Sequence, residues 1–202
     1  MRIVENRPAS DGFAAARKAM IDSQLRTSGV NARFVLERML AVPRENFVPA
    51  EVRSSAYIDR AVPLGDNRFI APPVFYGMML QESAPRLADK ALVVDAGSGY
   101  LTELMRSMVG SLTVITPAQA VAGEGATGAF SILLVDGAVE YIPAPLAALL
   151  AEDGRAVTGL VEGSVTRLAA GRRSGEAVAL LPLAEIGIPA LPQFARPKAW
   201  TF

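Results

Sequence analysis

The residue types behind most enzyme chemistry are missing from this chain. It has no histidine and no cysteine. That excludes a Ser-His-Asp triad, an HExxH zinc site, thiolate nucleophiles, disulfides and iron–sulfur clusters. Carboxylates, hydroxyls, amines, backbone amides or a cofactor must carry any reaction. Asp22-Ser23 has no imidazole to activate the hydroxyl, so it does not read as a hydrolase nucleophile. One spacing does suggest a site. Gly97-Ser98-Gly99 follows the apolar run Leu92-Val93-Val94-Asp95 and opens a helix-like stretch over 101–108. Glycine lets a backbone approach a ligand, and free amides at a helix start face an anion. In open α/β sheets, ligands sit beyond the carboxyl ends of the strands, where this turn lies. A plain strand-to-helix turn would look the same, and the residues alone do not choose. No GK[ST] is present, so this is not a Walker loop.

A second candidate is Asp136, which follows the run Ile132-Leu133-Leu134-Val135. It lies at the edge where ligands bind, yet Asp136-Gly137 is also a turn-forming pair, and the pair itself favours the turn. Arg44-Glu45 reads as structural, joining a helical region to the sheet. Trp200 and Phe202 read as packing anchors.

These residues need elements to hold them. The chain has 202 residues, 51% of them hydrophobic, which suits one domain with a substantial core. Ser10 or Asp11 can cap a first helix over 13–25, which Gly29 stops. Asn31 can cap a second, with Val35, Leu36, Met39 and Leu40 on one side and Pro43 at its end. After Asp89 the pattern changes to short apolar strands alternating with helices. Such strands read as buried and parallel, in an α/β sheet. Strands are expected over 92–94, 112–115, 132–135, 156–161, 165–169 and 177–183. A helix over 145–151 closes at Gly154, and Arg172-Arg173-Ser174-Gly175 is the turn of a final antiparallel pair. The division is a helical region with a loop segment over 1–88 and a sheet core over 89–202.

Lys+Arg and Asp+Glu both number 20, so the net charge is zero and a broad nucleic-acid surface is not expected. No apolar run reaches the roughly 20 residues that span a bilayer. The first residues, Met1-Arg2-Ile3-Val4-Glu5-Asn6-Arg7, carry no apolar signal core, so a cytoplasmic protein is expected.

Four blocks follow one another along the chain: Met20-Ile21-Asp22-Ser23-Gln24-Leu25, Val42-Pro43-Arg44-Glu45-Asn46-Phe47-Val48-Pro49, Ala56-Tyr57-Ile58-Asp59 and Pro63-Leu64-Gly65. Together they resemble the protein-L-isoaspartate O-methyltransferase family. Lys90 to Tyr100 then falls without a gap on that family's cofactor motif. The resemblance implies a Rossmann-like sheet, S-adenosylmethionine (SAM) as methyl donor, and isoaspartyl carboxylates of damaged proteins or peptides as substrate. A carboxylate is already ionised near neutral pH, so such a transfer needs no general base. The missing histidine is then no objection.

The resemblance also implies places for ligands. Asp95, Gly97, Ser98, Gly99, Tyr100, Thr116 and Asp136 would line the cofactor cleft. Tyr100 would otherwise simply pack. Asp59 would face the substrate, or else pair with Arg60 or Arg68. No metal is implied.

Four departures fall on functional places. Val93 and Asp95 stand where the family has an acid and a glycine. The strand ending Ile115-Thr116-Pro117 lacks the acid that holds ribose. Thr116 and Ser131 lie 15 positions apart, whereas a βαβ unit needs about 30 residues. That unit is therefore absent or vestigial, shortening the sheet at one edge. Ala71, in Ile70-Ala71-Pro72-Pro73, replaces a hydroxyl implied in substrate binding and catalysis. The expectation is a methyltransferase fold with SAM binding weakened or lost. The alternative is a non-catalytic, protein-binding or regulatory relative, with a homodimer through the shortened edge. A third use of the cleft is a different small anion or nucleotide.

Overall fold

The computed structural model describes residues 9–196; Trp200 and Phe202 lie outside the described residues. The apolar runs form the centre of a six-stranded sheet. Strands β1 (Val62–Gly65) and β2 (Arg68–Ile70) make a separate hairpin, while β3 (Lys90–Val94), β4 (Ser111–Ile115), β5 (Phe130–Val139), β6 (Leu150–Glu162), β7 (Val165–Ser174) and β8 (Ala177–Glu185) line up as β4-β3-β5-β6-β7-β8. The first three pairings across the sheet are parallel, and β6–β7 and β7–β8 are antiparallel. Helices α1 (Ala9–Met20), α2 (Arg33–Ala41), α3 (Pro73–Ser83), α4 (Tyr100–Met105), α5 (Pro117–Ala122) and α6 (Ala144–Ala148) complete the fold. Among the described residues no helix is long and apolar enough to cross a membrane.

Alternation along the strands divides the core in two. Ala91 and Val93 of β3, with Ile132 and Leu134 of β5, pack against Met20, Leu25, Val35, Phe75, Met79 and Leu104. Leu92, Val94, Leu133 and Val135 pack on the opposite face with Ile115, Leu146 and Phe194. Covering both faces explains why these strands read as unbroken apolar runs. Val94 stands opposite both Ile115 and Val135. One residue further on, Asp95, Thr116 and Asp136 therefore meet at the carboxyl edge.

The structure corrects several boundaries. Helix α1 already runs from Ala9, ahead of the expected caps, and Ile21–Leu25 winds into a π-helix. Gly154 lies inside β6 rather than closing a helix, at a register irregularity between β5 and β6. Strand β7 extends through Arg172 and Arg173 to Ser174, so the turn is Gly175-Glu176. Gly175 has φ +62°, the first-position glycine of a two-residue hairpin turn. Residues 116–129 hold α5 and coil but no strand, leaving β4 at the sheet edge with Val114 exposed.

A later segment lies instead against the end of β5. Ala138 N–H donates to Pro189 O at 2.8 Å, and Leu191 N–H donates to Ala138 O at 2.8 Å. Phe194 follows into the second core, fully buried beside Ile115 and Ala120. Burying such a ring stabilises by about 1.5–3 kcal/mol.

Candidate functional site

At the carboxyl edge the chain leaves β3 through Asp95-Ala96-Gly97-Ser98-Gly99. Gly97 at φ +99° and Gly99 at φ +71° need the freedom of glycine. The turn closes on its own acid. Asp95 Oδ1 accepts from the amides of Gly97 at 2.7 Å and Gly99 at 3.1 Å, and Oδ2 accepts from Thr102 Oγ1 at 2.7 Å. The amides of both glycines are therefore engaged.

Ser98 reaches the other way. Its hydroxyl donates to Asp136 Oδ2 at 3.0 Å and accepts from Tyr100 N–H at 3.1 Å. Asp136 is not a turn residue, as its pairing with Gly137 suggested. Strand β5 continues through both to Val139, and Leu191 packs where a Gly137 side chain would stand. Even positions of β5 face α3, so the Asp136 carboxylate is buried there. Burial, and then the charge of Asp95, push its pKa up to about 7, against the bonds from Tyr76 and Ser98 and the charge of Arg44.

Tyr76 carries this network to the loop that holds Ala71. Its hydroxyl donates to Asp136 Oδ1 at 2.8 Å and accepts the Ala71 amide at 3.1 Å. Burial, and then the Asp136 charge, raise the phenol well above its ordinary pKa. Arg44 holds the other end of Ala71. Its Nη2 donates to Ala71 O at 2.6 Å and its Nε to Ala56 O at 2.6 Å. The guanidinium packs against both Tyr76 and Tyr100, 5.4 and 5.1 Å from their ring centroids, while the two rings meet edge to face at 5.0 Å. Tyr100 packs, fully buried, and burial pushes its pKa up to about 12. Glu45 accepts from Arg17 Nη2 at 2.7 Å and from the Tyr57 hydroxyl, and Arg17 Nε also donates to Tyr57 at 2.7 Å. Arg44, Glu45 and Tyr57 thus join the helical region to the loop that carries Ala71.

The crevice itself is small, about 140 Å³, with Asp66, Arg68, Ala96, Pro117, Asp136 and Leu191 among its walls. The structure brings together Ala71, Asp95, Gly97, Ser98, Gly99, Tyr100 and Asp136. It places two expected residues differently. Thr116 caps α5, its Oγ1 accepting from Gln119 N–H at 3.3 Å while Gln119 Oε1 accepts from Thr116 N–H at 2.9 Å. Asp59 is exposed, lining a separate hollow of about 350 Å³ with Pro72, Met78 and Ile186. It pairs with neither Arg60 nor Arg68 among the described residues; Arg68 faces Asp66 at 3.4 Å. Sequence reasoning missed Tyr76, Arg68 and Leu191. Tyr76 sits on a helix that is apolar on most sides, and neither Arg68 nor Leu191 belongs to a motif.

Comparison with known proteins gives this arrangement a context. Residues 15–122 match the family model for protein-L-isoaspartate(D-aspartate) O-methyltransferase. The protein-L-isoaspartate O-methyltransferase of Roseiflexus castenholzii is 31% identical, over 81% of this chain and 86% of its own length. That of Aeropyrum pernix is 46% identical over a shorter span, 50% of this chain and 38% of the relative. Among solved structures, a Plasmodium falciparum chain assigned to the same activity, in complex with S-adenosyl-L-homocysteine, superposes with a TM-score of 0.68. It is 18% identical and covers 88% of this chain and 98% of its own. That likeness supports the fold.

Proposed function

The chain belongs to the protein-L-isoaspartate O-methyltransferase family, and from that premise we propose that it keeps the family's scaffold for isoaspartyl proteins while its SAM binding and methyl transfer are weakened or lost. One observation carries this reading. The Asp95 carboxylate takes the amides of both Gly97 and Gly99. A ligand carboxylate would meet an acid there instead of free donors.

Two further features point the same way. The end of β4 offers Thr116, engaged as a helix cap, where a ribose would need an acceptor. The crevice of about 140 Å³ is walled by Pro189–Gln193, against roughly 300–1,000 Å³ for ordinary small-molecule sites. As arranged, these residues do not fit a nucleoside-bearing cofactor. The substrate side is different. Arg44 and Tyr76 still fix both ends of the Ala71 peptide unit, although Ala71 offers no hydroxyl. That retention favours, as a second reading, a relative that meets isoaspartyl proteins without methylating them.

Calorimetric titration with SAM and S-adenosylhomocysteine tests the proposal. No heat of binding is expected at micromolar ligand. A dissociation constant below about 10 μM, roughly −7 kcal/mol, would overturn it.

A further inference from the structure

The crevice is crowded with acids. Asp66 and Asp136 line it and Asp95 acts on Asp136 from beside it. Arg68 is the one cation lining it among the described residues. Asp95 and Asp136 each have both carboxylate oxygens in hydrogen bonds. Arg68 is less committed. Its one ion pair among the described residues, with Asp66, is long at 3.4 Å and open to water, the two side chains being 47% and 88% exposed. Pairs of that kind contribute little and exchange readily.

The arginine is nonetheless placed with some care. A Cβ built on Gly97 would stand 3.1 Å from Arg68 Cδ and 3.2 Å from its Nη1. The glycine therefore lets the side chain lie across the turn. The adjoining turn residues Asp66 and Asn67 both have positive φ, 51° and 55°, the tight two-residue turn that sets Arg68 opposite Gly65. Three residues after Arg68 comes Ala71, held by Arg44 and Tyr76.

We propose that Arg68 is the residue by which this chain recognises a carboxylate, that of an isoaspartyl residue, at the water-open mouth of the crevice on its β1–β2 hairpin side, in place of Asp66 rather than on the amides that Asp95 occupies. The substrate class rests on the family reading above; the role of Arg68 is independent of whether SAM binds. A guanidinium offers two parallel N–H donors that match a carboxylate. The incoming group exchanges with exposed Asp66, and no buried bond breaks.

The test uses the full chain and its Arg68→Ala and Arg68→Lys variants, without SAM. Binding of a short isoaspartyl peptide is followed by NMR titration. Its counterpart, with an amide in place of the stray carboxylate, is the control. The wild type is expected to prefer the acid peptide. In Arg68→Ala that preference disappears: the acid peptide weakens by roughly tenfold or more, and the amide peptide is unchanged. Arg68→Lys falls between, since lysine keeps the charge without the fork. No binding of the acid peptide by the wild type at millimolar concentration, no preference for it over the amide, or a preference that survives in Arg68→Ala would each overturn the proposal. A second arm compares S-adenosylhomocysteine with methylthioadenosine, which lacks the carboxylate. A loss on Arg68→Ala confined to S-adenosylhomocysteine would assign the arginine to the cofactor's carboxylate and overturn the substrate assignment. The two readings fail separately, because tight S-adenosylhomocysteine binding sinks the weakened-cofactor reading alone.

Discussion

The Tyr76 hydroxyl donates to Asp136 while accepting the amide of Ala71. One phenol thus joins the Ala71 loop to the carboxyl edge of the sheet. Asp136 also accepts from Ser98, so loop, helix α3 and Gly-rich turn share a single buried carboxylate. A change in its charge is felt in all three.

Stability should therefore depend on pH through Asp136. Its pKa is about 7 in the folded chain, against an ordinary value of 3.8. Between those values the folded state holds a proton that the unfolded state has released. The contribution is complete below about pH 4 and is lost as pH rises through 7. Asp136→Asn removes the ionisation. The variant should gain on the wild type from pH 5 to pH 8, by an amount on the order of a few kcal/mol. Urea unfolding at four pH values measures this. Parallel wild-type and variant curves across that range would rule out a raised pKa at Asp136.

Arg44 is the second sensitive point. It is fully buried, with two carbonyls and two tyrosine faces as partners. Arg44→Met strands the carbonyls of Ala56 and Ala71, at about 1–3 kcal/mol each. Arg44→Lys should fare little better, because an ammonium cannot span both carbonyls or stack on the tyrosine rings as a planar guanidinium does. Denaturant midpoints should fall for both variants. A lysine variant as stable as the wild type would show that charge alone matters here.

The sequence made the sheet legible and left the site only partly so. Leu92-Val93-Val94 and Ile132-Leu133-Leu134-Val135 are buried on both faces, which is why continuous apolar runs marked the central strands. The short stretch between Thr116 and Ser131, set against the family resemblance, indicated an absent or vestigial unit, and the structure keeps a short helix there without a strand. Asp136-Gly137 misled because its local turn chemistry was overridden by tertiary structure. Strand β5 runs on through it, and Gly137 admits the Leu191 side chain. The segment that seats Phe194 and pairs with Ala138 comes from far along the chain, through contacts that no local pattern encodes. Tyr76 was hidden because α3 is buried around most of its circumference, so no periodicity singled the tyrosine out.

Gly171 offers a test of the antiparallel end of the sheet. A Cβ added there would stand 2.1 Å from the carbonyl oxygen of Ala179, across the β7–β8 pair. Backbone cannot yield as a side chain does, so Gly171→Ala must push the strands apart. A loss of about 1–3 kcal/mol is expected, with faster amide exchange along β8. Exposed Gly163, with nothing near its built Cβ but a φ of +63°, is the contrasting case. Gly163→Ala should cost about 1 kcal/mol through strain alone, without opening β8. Equal exchange along β8 in both variants would refute the close approach.

Asp95 permits the sharpest division of causes. Its carboxylate caps the Gly-rich turn and also repels Asp136. Asp95→Gly removes the cap, at about 1–2 kcal/mol, and frees the amides of Gly97 and Gly99. Asp95→Asn keeps an oxygen for those amides and removes only the charge. If occupied amides block an anionic ligand, S-adenosylhomocysteine binding should improve in Asp95→Gly and stay weak in Asp95→Asn. If repulsion alone is the obstacle, both variants should improve alike. The geometry favours the first outcome, since Oδ1 lies 2.7 Å from the Gly97 nitrogen and 3.1 Å from that of Gly99. Both variants should also lower the Asp136 pKa by removing the neighbouring charge, and so flatten the pH dependence of stability. Unchanged affinity in all three proteins would instead place the obstacle in the wall formed by Pro189–Gln193, which neither substitution moves.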